Sequence, residues 1–137
     1  MSISKRFQKG GAIVEFAILM PLLLLLAIGV AEFGAIFYSQ NILNQAVQTA
    51  ARKLSDYDSG TYNATQKTAA ETLIMQNIVN AKCDSVTGPN ISNNGKVISV
   101  SITCNRNFIT GNTLNALTGS LGSGVNLDAS SVMGFTR

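Results

Sequence analysis

Glu15 is the side chain whose presence most needs a chemical reason. It stands five residues after Gly10, inside an apolar run, and Phe16 follows it directly. A carboxylate in lipid costs roughly 2–4 kcal/mol or more, so a charge placed there usually pairs with something or performs a task. Cys83 and Cys104 are the only thiols. Two thiols without histidine cannot complete a tetrahedral zinc site. In a domain carried across a membrane a disulfide is their simplest use, with a pair of buried free thiols as the alternative. The chain has no histidine and no tryptophan, so neither a Ser-His nor a Cys-His pair can form. Asp56 and Asp58 lie in Asp-Tyr-Asp-Ser-Gly. That composition is turn chemistry, and the further acidic ligands and terminal Glu of a calcium loop are missing. The glycine cluster Gly119–Gly124 lacks the Lys-Ser/Thr of a phosphate loop. The sequence therefore implies no catalytic constellation, no metal site and no cofactor.

The element that must position Glu15 is a membrane-length helix. From Ala12 to Tyr38 the only charged residues are Glu15 and Glu32. Those residues would make a helix of about 40 Å, more than the roughly 30 Å hydrocarbon core. Lys5, Arg6 and Lys9 precede Gly10 and place the N-terminus in the cytoplasm, with the rest outside. An uncleaved signal anchor fits this outline. A cleaved secretory signal, cut after Gly29-Val30-Ala31, fits less well, because apolar sequence resumes at Phe33 and Glu15 would interrupt the apolar region. Pro21 cannot donate to the Ala17 carbonyl and its ring crowds that turn, so a kink or local melting is expected at residues 17–21. Glu32 is expected to reach the outer interface.

A third reading explains Glu15, Gly10 and Gly11 together. A basic leader, a glycine, and Glu at the fifth position of an apolar helix resemble a type IV prepilin. The string Gly-Ala-Ile-Val-Glu-Phe-Ala-Ile-Leu-Met-Pro-Leu-Leu-Leu-Leu-Leu, with Ala50-Ala51-Arg52 further on, resembles the TadE-like minor pilins, or pseudopilins, of tight-adherence pili. The resemblance implies cleavage by an aspartyl prepilin peptidase between Gly10 and Gly11, with Gly11-Ala12 as an alternative bond. Gly10 leaves no side chain at that bond, so a protease can approach the backbone closely. Cleavage would leave a positive amine on Gly11, one helical turn from Glu15. In such families the glutamate is thought to pair with the amine of an adjacent subunit, a charge made tolerable by pairing. Assembly would then run through Glu15 and Phe16. The implied partners are the peptidase, other pilin and minor pilin subunits, an inner-membrane assembly platform and membrane lipid. The implied location is the bacterial inner membrane, then the pilus at the cell surface. The family's main pilins are much shorter, so a minor role fits this chain better than the shaft.

Beyond Tyr38 the helix continues. Leu43, Val47, Ala50 and Leu54 recur at helical spacing and no glycine or proline intervenes from Ala35 to Ser59. The expected organisation is a leader at 1–10, a transmembrane helix at 11–38, its extramembrane continuation at 39–55 and a small extracytoplasmic domain at 56–137. A second helix is expected at Ala64–Ala81 with the stripe Ala70, Leu73, Ile74, Ile78 and Ala81. Ile98, Val100, Ile102 and Cys104 alternate with Ser99, Ser101 and Thr103, a half-buried strand ending near Cys104. Asn93-Asn94-Gly95 is a hairpin signal before it. The partner strand at Val86–Ser92 is weak, because Gly88-Pro89 interrupts it. After Gly111 the chain reads as loop, with a last short strand at Ser130–Phe135. The fold class is α+β: a long helical spine and a small domain with a second helix and a short antiparallel hairpin or sheet. A Cys83–Cys104 bridge would tie helix end to sheet.

The alkaline balance belongs to the leader. Ten Lys/Arg against seven Asp/Glu become seven against seven once Lys5, Arg6 and Lys9 are removed, so no nucleic-acid partner is implied. Two functions from different classes remain: a structural pilus subunit, and a membrane-anchored periplasmic or surface binding protein that enters no filament. Asn63-Ala-Thr65 is a formal glycosylation sequon of little weight.

Overall fold

The computed structural model describes residues 8–56, 62–111 and 124–134. Five elements follow in order: α1 (Gln8–Ser55), α2 (Ala64–Ala81), β1 (Ser85–Asn93), β2 (Val97–Asn107) and β3 (Gly124–Gly134). The fold is α+β, with a long apolar helix, a second helix and a three-stranded antiparallel sheet in the order β1-β2-β3. Two compact units meet between Gly34 and Ala35, inside α1. The basic leader residues Lys5 and Arg6, the segment 57–60, the glycine cluster up to Ser123 and Phe135 lie outside the described residues.

In the first unit α1 is helical from Gln8 onward, two residues before Gly10. It stays helical through Pro21. The missing donor at Pro21 therefore does not melt the turn at 17–21, as the hydrogen bonds on either side hold the helix together. None of the apolar membrane-length window is buried by the fold.

The second unit carries the core. The C-terminal part of α1 buries Leu43, Ala46, Val47, Ala50, Ala51 and Leu54, which adds two alanines to the expected stripe. Those alanines let another element approach the helix closely. The α2 helix opens on a capping box: the Asn63 side chain accepts from the Gln66 amide at 2.9 Å and the Gln66 side chain accepts from the Asn63 amide at 2.8 Å. Two amides that the first turn leaves without partners are satisfied this way. Ala70, Ile74, Ile78 and Ala81 are buried, and Leu73 lies at the margin of the stripe. On β2, Ile98, Val100, Ile102 and Cys104 face inward. Burying each large aliphatic side chain stabilises the fold by about 1.5–3 kcal/mol relative to exposure.

The sheet differs from the sequence expectation in three places. β1 is a full strand of nine residues. Its register shifts between Thr87 and Asn90, so a bulge takes Gly88 and Pro89 out of the ladder and pairing resumes beyond them. Cys104 does not end β2, which runs on to Asn107. β3 starts at Gly124, six residues before the expected Ser130, and pairs with β2 without interruption from Gly124–Asn107 to Gly134–Val97. Its Ser, Asn and Asp content reads as loop, yet Val125, Leu127 and Ala129 alternate with Asn126, Asp128 and Ser130. Tertiary pairing overrides the weak propensity. Gly124 is required where it stands, since a Cβ there would lie 2.5 Å from the Arg106 carbonyl oxygen. The β1–β2 turn falls on Asn94 and Gly95 as expected, with Gly95 at φ +73° and its amide donating to the Asn93 side chain at 2.7 Å.

Candidate functional site

Two sets of residues qualify, one in each unit. In the first, Gly10 and Gly11 occupy the opening turns of α1, and a Cβ on either would meet nothing within 4 Å. Space therefore does not dictate glycine at either position. Two glycines weaken a helix by roughly 1 kcal/mol each relative to alanine. The Gly10–Gly11 bond accordingly lies in the part of α1 that opens at least cost. Glu15 follows one turn after Gly11, about 6 Å along the axis at about 1.5 Å per residue. It is exposed, as is Phe16 at 59%. Around them Ile13, Val14, Ile18 and Leu19 are more than half exposed, as are Leu22 through Leu26. The fold thus presents a carboxylate on a helix whose apolar surface none of the described residues covers. A soluble protein does not leave so large a patch open unless lipid or another molecule covers it.

In the second unit the residues lie at the C-terminal end of α2. Lys82 takes the left-handed conformation and closes the helix, and Cys83 follows it. Cys83 is bonded to Cys104 on β2, with Cα atoms 5.6 Å apart. The last carbonyl of α2, Ala81, accepts from Ser39 Oγ at 2.8 Å and from Arg106 Nη1 at 3.3 Å. Arg106 also donates to Ser39 Oγ. The serine oxygen lies 3.0 Å from the Ala35 carbonyl as well, so its one proton serves two acceptors. Ser39 is fully buried and Arg106 is 8% exposed. A covalent bond and a polar knot thus hold α1, α2 and β2 together within a few residues of one another.

The sequence reading did not find this knot. Arg106 continues the inward alternation of Ile98, Val100, Ile102 and Cys104, and a cation at an inward position was the available signal. Ser39 interrupts the apolar face of α1 in the same way. Asn63, noted as a sequon, serves as the helix cap; the Asn-x-x-Gln spacing announces it.

Two further polar groups singled out by type are placed as follows. Asp56 closes the end of α1, its amide donating to the Arg52 carbonyl at 3.1 Å, and Asp58 lies outside the described residues. Among the described residues no group of three or more His, Cys, Asp or Glu is placed to hold a metal. Tyr62 is half-buried. Its phenol is pushed above the ordinary value of 10.0, first by loss of solvent and then by the Glu71 carboxylate. Neither effect makes it a base at neutral pH.

No curated protein and no solved structure matches the chain. Residues 10–52, from the first glycine of the pair to the arginine of Ala50-Ala51-Arg52, match the family described as TadE-like protein, the family that the apolar string around Glu15 resembles.

Proposed function

We propose that this chain is a minor pilin, or pseudopilin, of a tight-adherence pilus. It is cut after Gly10 by a prepilin peptidase, held in the inner membrane by the apolar half of α1, and assembled through that helix with other pilin subunits on an inner-membrane platform. The domain beyond residue 55 lies outside the cytoplasm. The observation that carries this reading is Glu15, exposed on an apolar helix that the described residues leave uncovered. A plain anchor has no use for a carboxylate one turn inside its span. A pilin uses it to pair with the amine that cleavage exposes on Gly11. Further support comes from the TadE-like match, which contains both glycines, Glu15 and Pro21. The weak opening turn of α1 lets the bond unwind into a protease.

The test is the N-terminal residue and intact mass of the protein from its native cells, with and without the prepilin peptidase. A chain starting at Gly11 only when the peptidase is present is the expected result. A chain starting at Met1 or Ser2 would mean a signal anchor, and one starting at Glu32 a secreted domain; either outcome defeats the proposal. Gly10→Leu should leave the leader attached. Glu15→Ala should be processed normally yet be missing from sheared pili.

A further inference from the structure

The end of the second unit that carries the disulfide and the polar knot is also the end at which the apolar run enters it. Residues 35–38 belong to both: they close the apolar run in the sequence and they fall within the second unit. Phe37 and Tyr38 are 66% and 59% exposed. The next residue, Ser39, donates to the Ala81 carbonyl at the end of α2 and accepts from Arg106 near the end of β2. Both elements therefore finish at the level of Ser39. α2 gives way to Lys82, which is exposed. β2 gives way to a turn, Phe108–Gly111, closed by the Gly111 amide on the Phe108 carbonyl at 3.1 Å. The other end of β2, with the Asn94-Gly95 turn, lies about 30 Å away along the strand at about 3.3 Å per residue.

The turns at the two ends of β2 differ in chemistry. Asn94-Gly95 is polar. Phe108–Gly111 places Ile109 at its first central position, 71% exposed, where turns favour proline or small polar residues. Val79, on the last turn of α2, is 77% exposed. One exposed apolar residue needs no explanation. Here Phe37, Tyr38, Val79 and Ile109 all fall at one end of one unit, and that end is where the span emerges. Aromatic side chains at the limit of a span sit at headgroup level. Ser39 then brings the end of α2 and the turn after β2 to that same level. The charged groups described at this end are Lys82, Asp84 and Arg106. Asp84 faces the sheet, where its Oδ2 accepts from the Asn107 amide at 2.7 Å. Arg106 is held in the knot. Lys82 faces outward, and a lysine stem lies along an apolar surface while its ammonium reaches phosphate.

We infer that this end of the second unit rests on the outer face of the bilayer, with Ile109 inserted at the boundary of headgroups and acyl chains and Lys82 against lipid phosphate. The inference rests on the proposed membrane span of α1, and it adds a second attachment to lipid through the folded domain.

The chain has no tryptophan, so a single substitution supplies a single reporter. Three are needed: Ile109→Trp, Asn94→Trp at the opposite turn, and Phe33→Trp within the span. All three positions are exposed, so the core is untouched. Each full chain is reconstituted in vesicles of phosphatidylcholine and phosphatidylglycerol, with and without lipid brominated high on the acyl chains. Phe33→Trp and Ile109→Trp should lose most of their emission to the brominated lipid, and Asn94→Trp should keep its own. Quenching of Phe33→Trp without quenching of Ile109→Trp overturns the inference and leaves the span standing. Equal quenching of Asn94→Trp and Ile109→Trp also overturns it, because tryptophan's own preference for the interface would then explain both. An unquenched Phe33→Trp defeats the span and the inference with it. Adding Lys82→Glu to the Ile109→Trp chain should weaken the quenching, and unchanged quenching overturns the place given to Lys82.

Discussion

Removing the Cys83–Cys104 bond tests the packing scheme most directly, because its effect can be worked out from the loop it closes. The two residues are 21 apart in sequence. The chain-entropy relation then gives about 11 cal/mol/K, or about 3 kcal/mol at 25 °C, lost from the unfolded ensemble when the bond is present. That is a large share of the roughly 5–15 kcal/mol that holds a domain together. Cys104 is fully buried and Cys83 packs against the same core. Alanine is therefore the proper replacement at both, since serine would bury a hydroxyl without a partner. The alanine pair adds a small cavity cost, which reducing the native chain does not.

Three samples separate these effects: the oxidised chain, the reduced chain and Cys83→Ala/Cys104→Ala, each full-length in micelles and titrated with urea while circular dichroism is recorded. Reduction should cost about 3 kcal/mol and the alanine pair slightly more. The slope against urea should rise in both, because the opened chain exposes more surface on unfolding. At roughly 4–8 °C per kcal/mol the melting midpoint should fall by about 12–24 °C. A loss below about 1 kcal/mol with an unchanged slope would refute the reasoning. It would mean that the unfolded chain already holds the hairpin near the end of α2, so that the bond restricts little.

Two further outcomes follow from the second unit. Ser39→Ala should cost about 1–3 kcal/mol in the same urea titration, since it leaves an Arg106 N–H without its acceptor and the Ala81 carbonyl with one donor fewer; a change under about 0.5 kcal/mol, the scale of an ordinary surface substitution, would show that the polar knot is dispensable. Tyr62 holds its proton more tightly when folded than when unfolded, so its contribution is intact below pH 10 and is lost as pH rises through the raised folded value. Tyr62→Phe should flatten that part of an alkaline unfolding curve, and an identical curve for both chains would show that the phenol does not titrate with folding.

Much of the scaffold could be read from spacing alone. Leu43, Val47, Ala50 and Leu54 share a helical face, and Ile98 to Cys104 alternate, because each pattern has one solution that buries its apolar residues. β1 and β3 were less legible for opposite reasons. In β1 a proline that forbids ladder pairing is tolerated by a bulge, and a bulge leaves no clear mark in sequence. In β3 the alternation is present but carried by small and polar residues, whose own preference is for turns. What decides in its favour is the unbroken pairing with β2, a partner far away in sequence. Local propensity cannot report such a contact.

The two candidate sites were legible to different degrees, and the difference is physical. Glu15 stands out because its cost is local: a charge in an apolar run is anomalous whatever surrounds it. Arg106 and Ser39 cost little where they stand, because the Ala81 carbonyl and each other's polar atoms satisfy them. Their cost would show only if a partner were removed, and those partners come from elements far apart in sequence. The alternation that ran through Cys104 still pointed to Arg106, since the next inward position after four apolar ones was a cation. A buried cation at the end of an apolar row usually meets a helix C-terminus or a carboxylate. Here it meets the last carbonyl of α2, next to the half-cystine that joins that helix to the same strand. The polar knot and the disulfide therefore act on one joint. That predicts coupling between them: Ser39→Ala should cost less in the reduced chain than in the oxidised one, because reduction frees the end of α2 to relax around the unpaired groups. Equal costs in the two states would show that the two devices act independently.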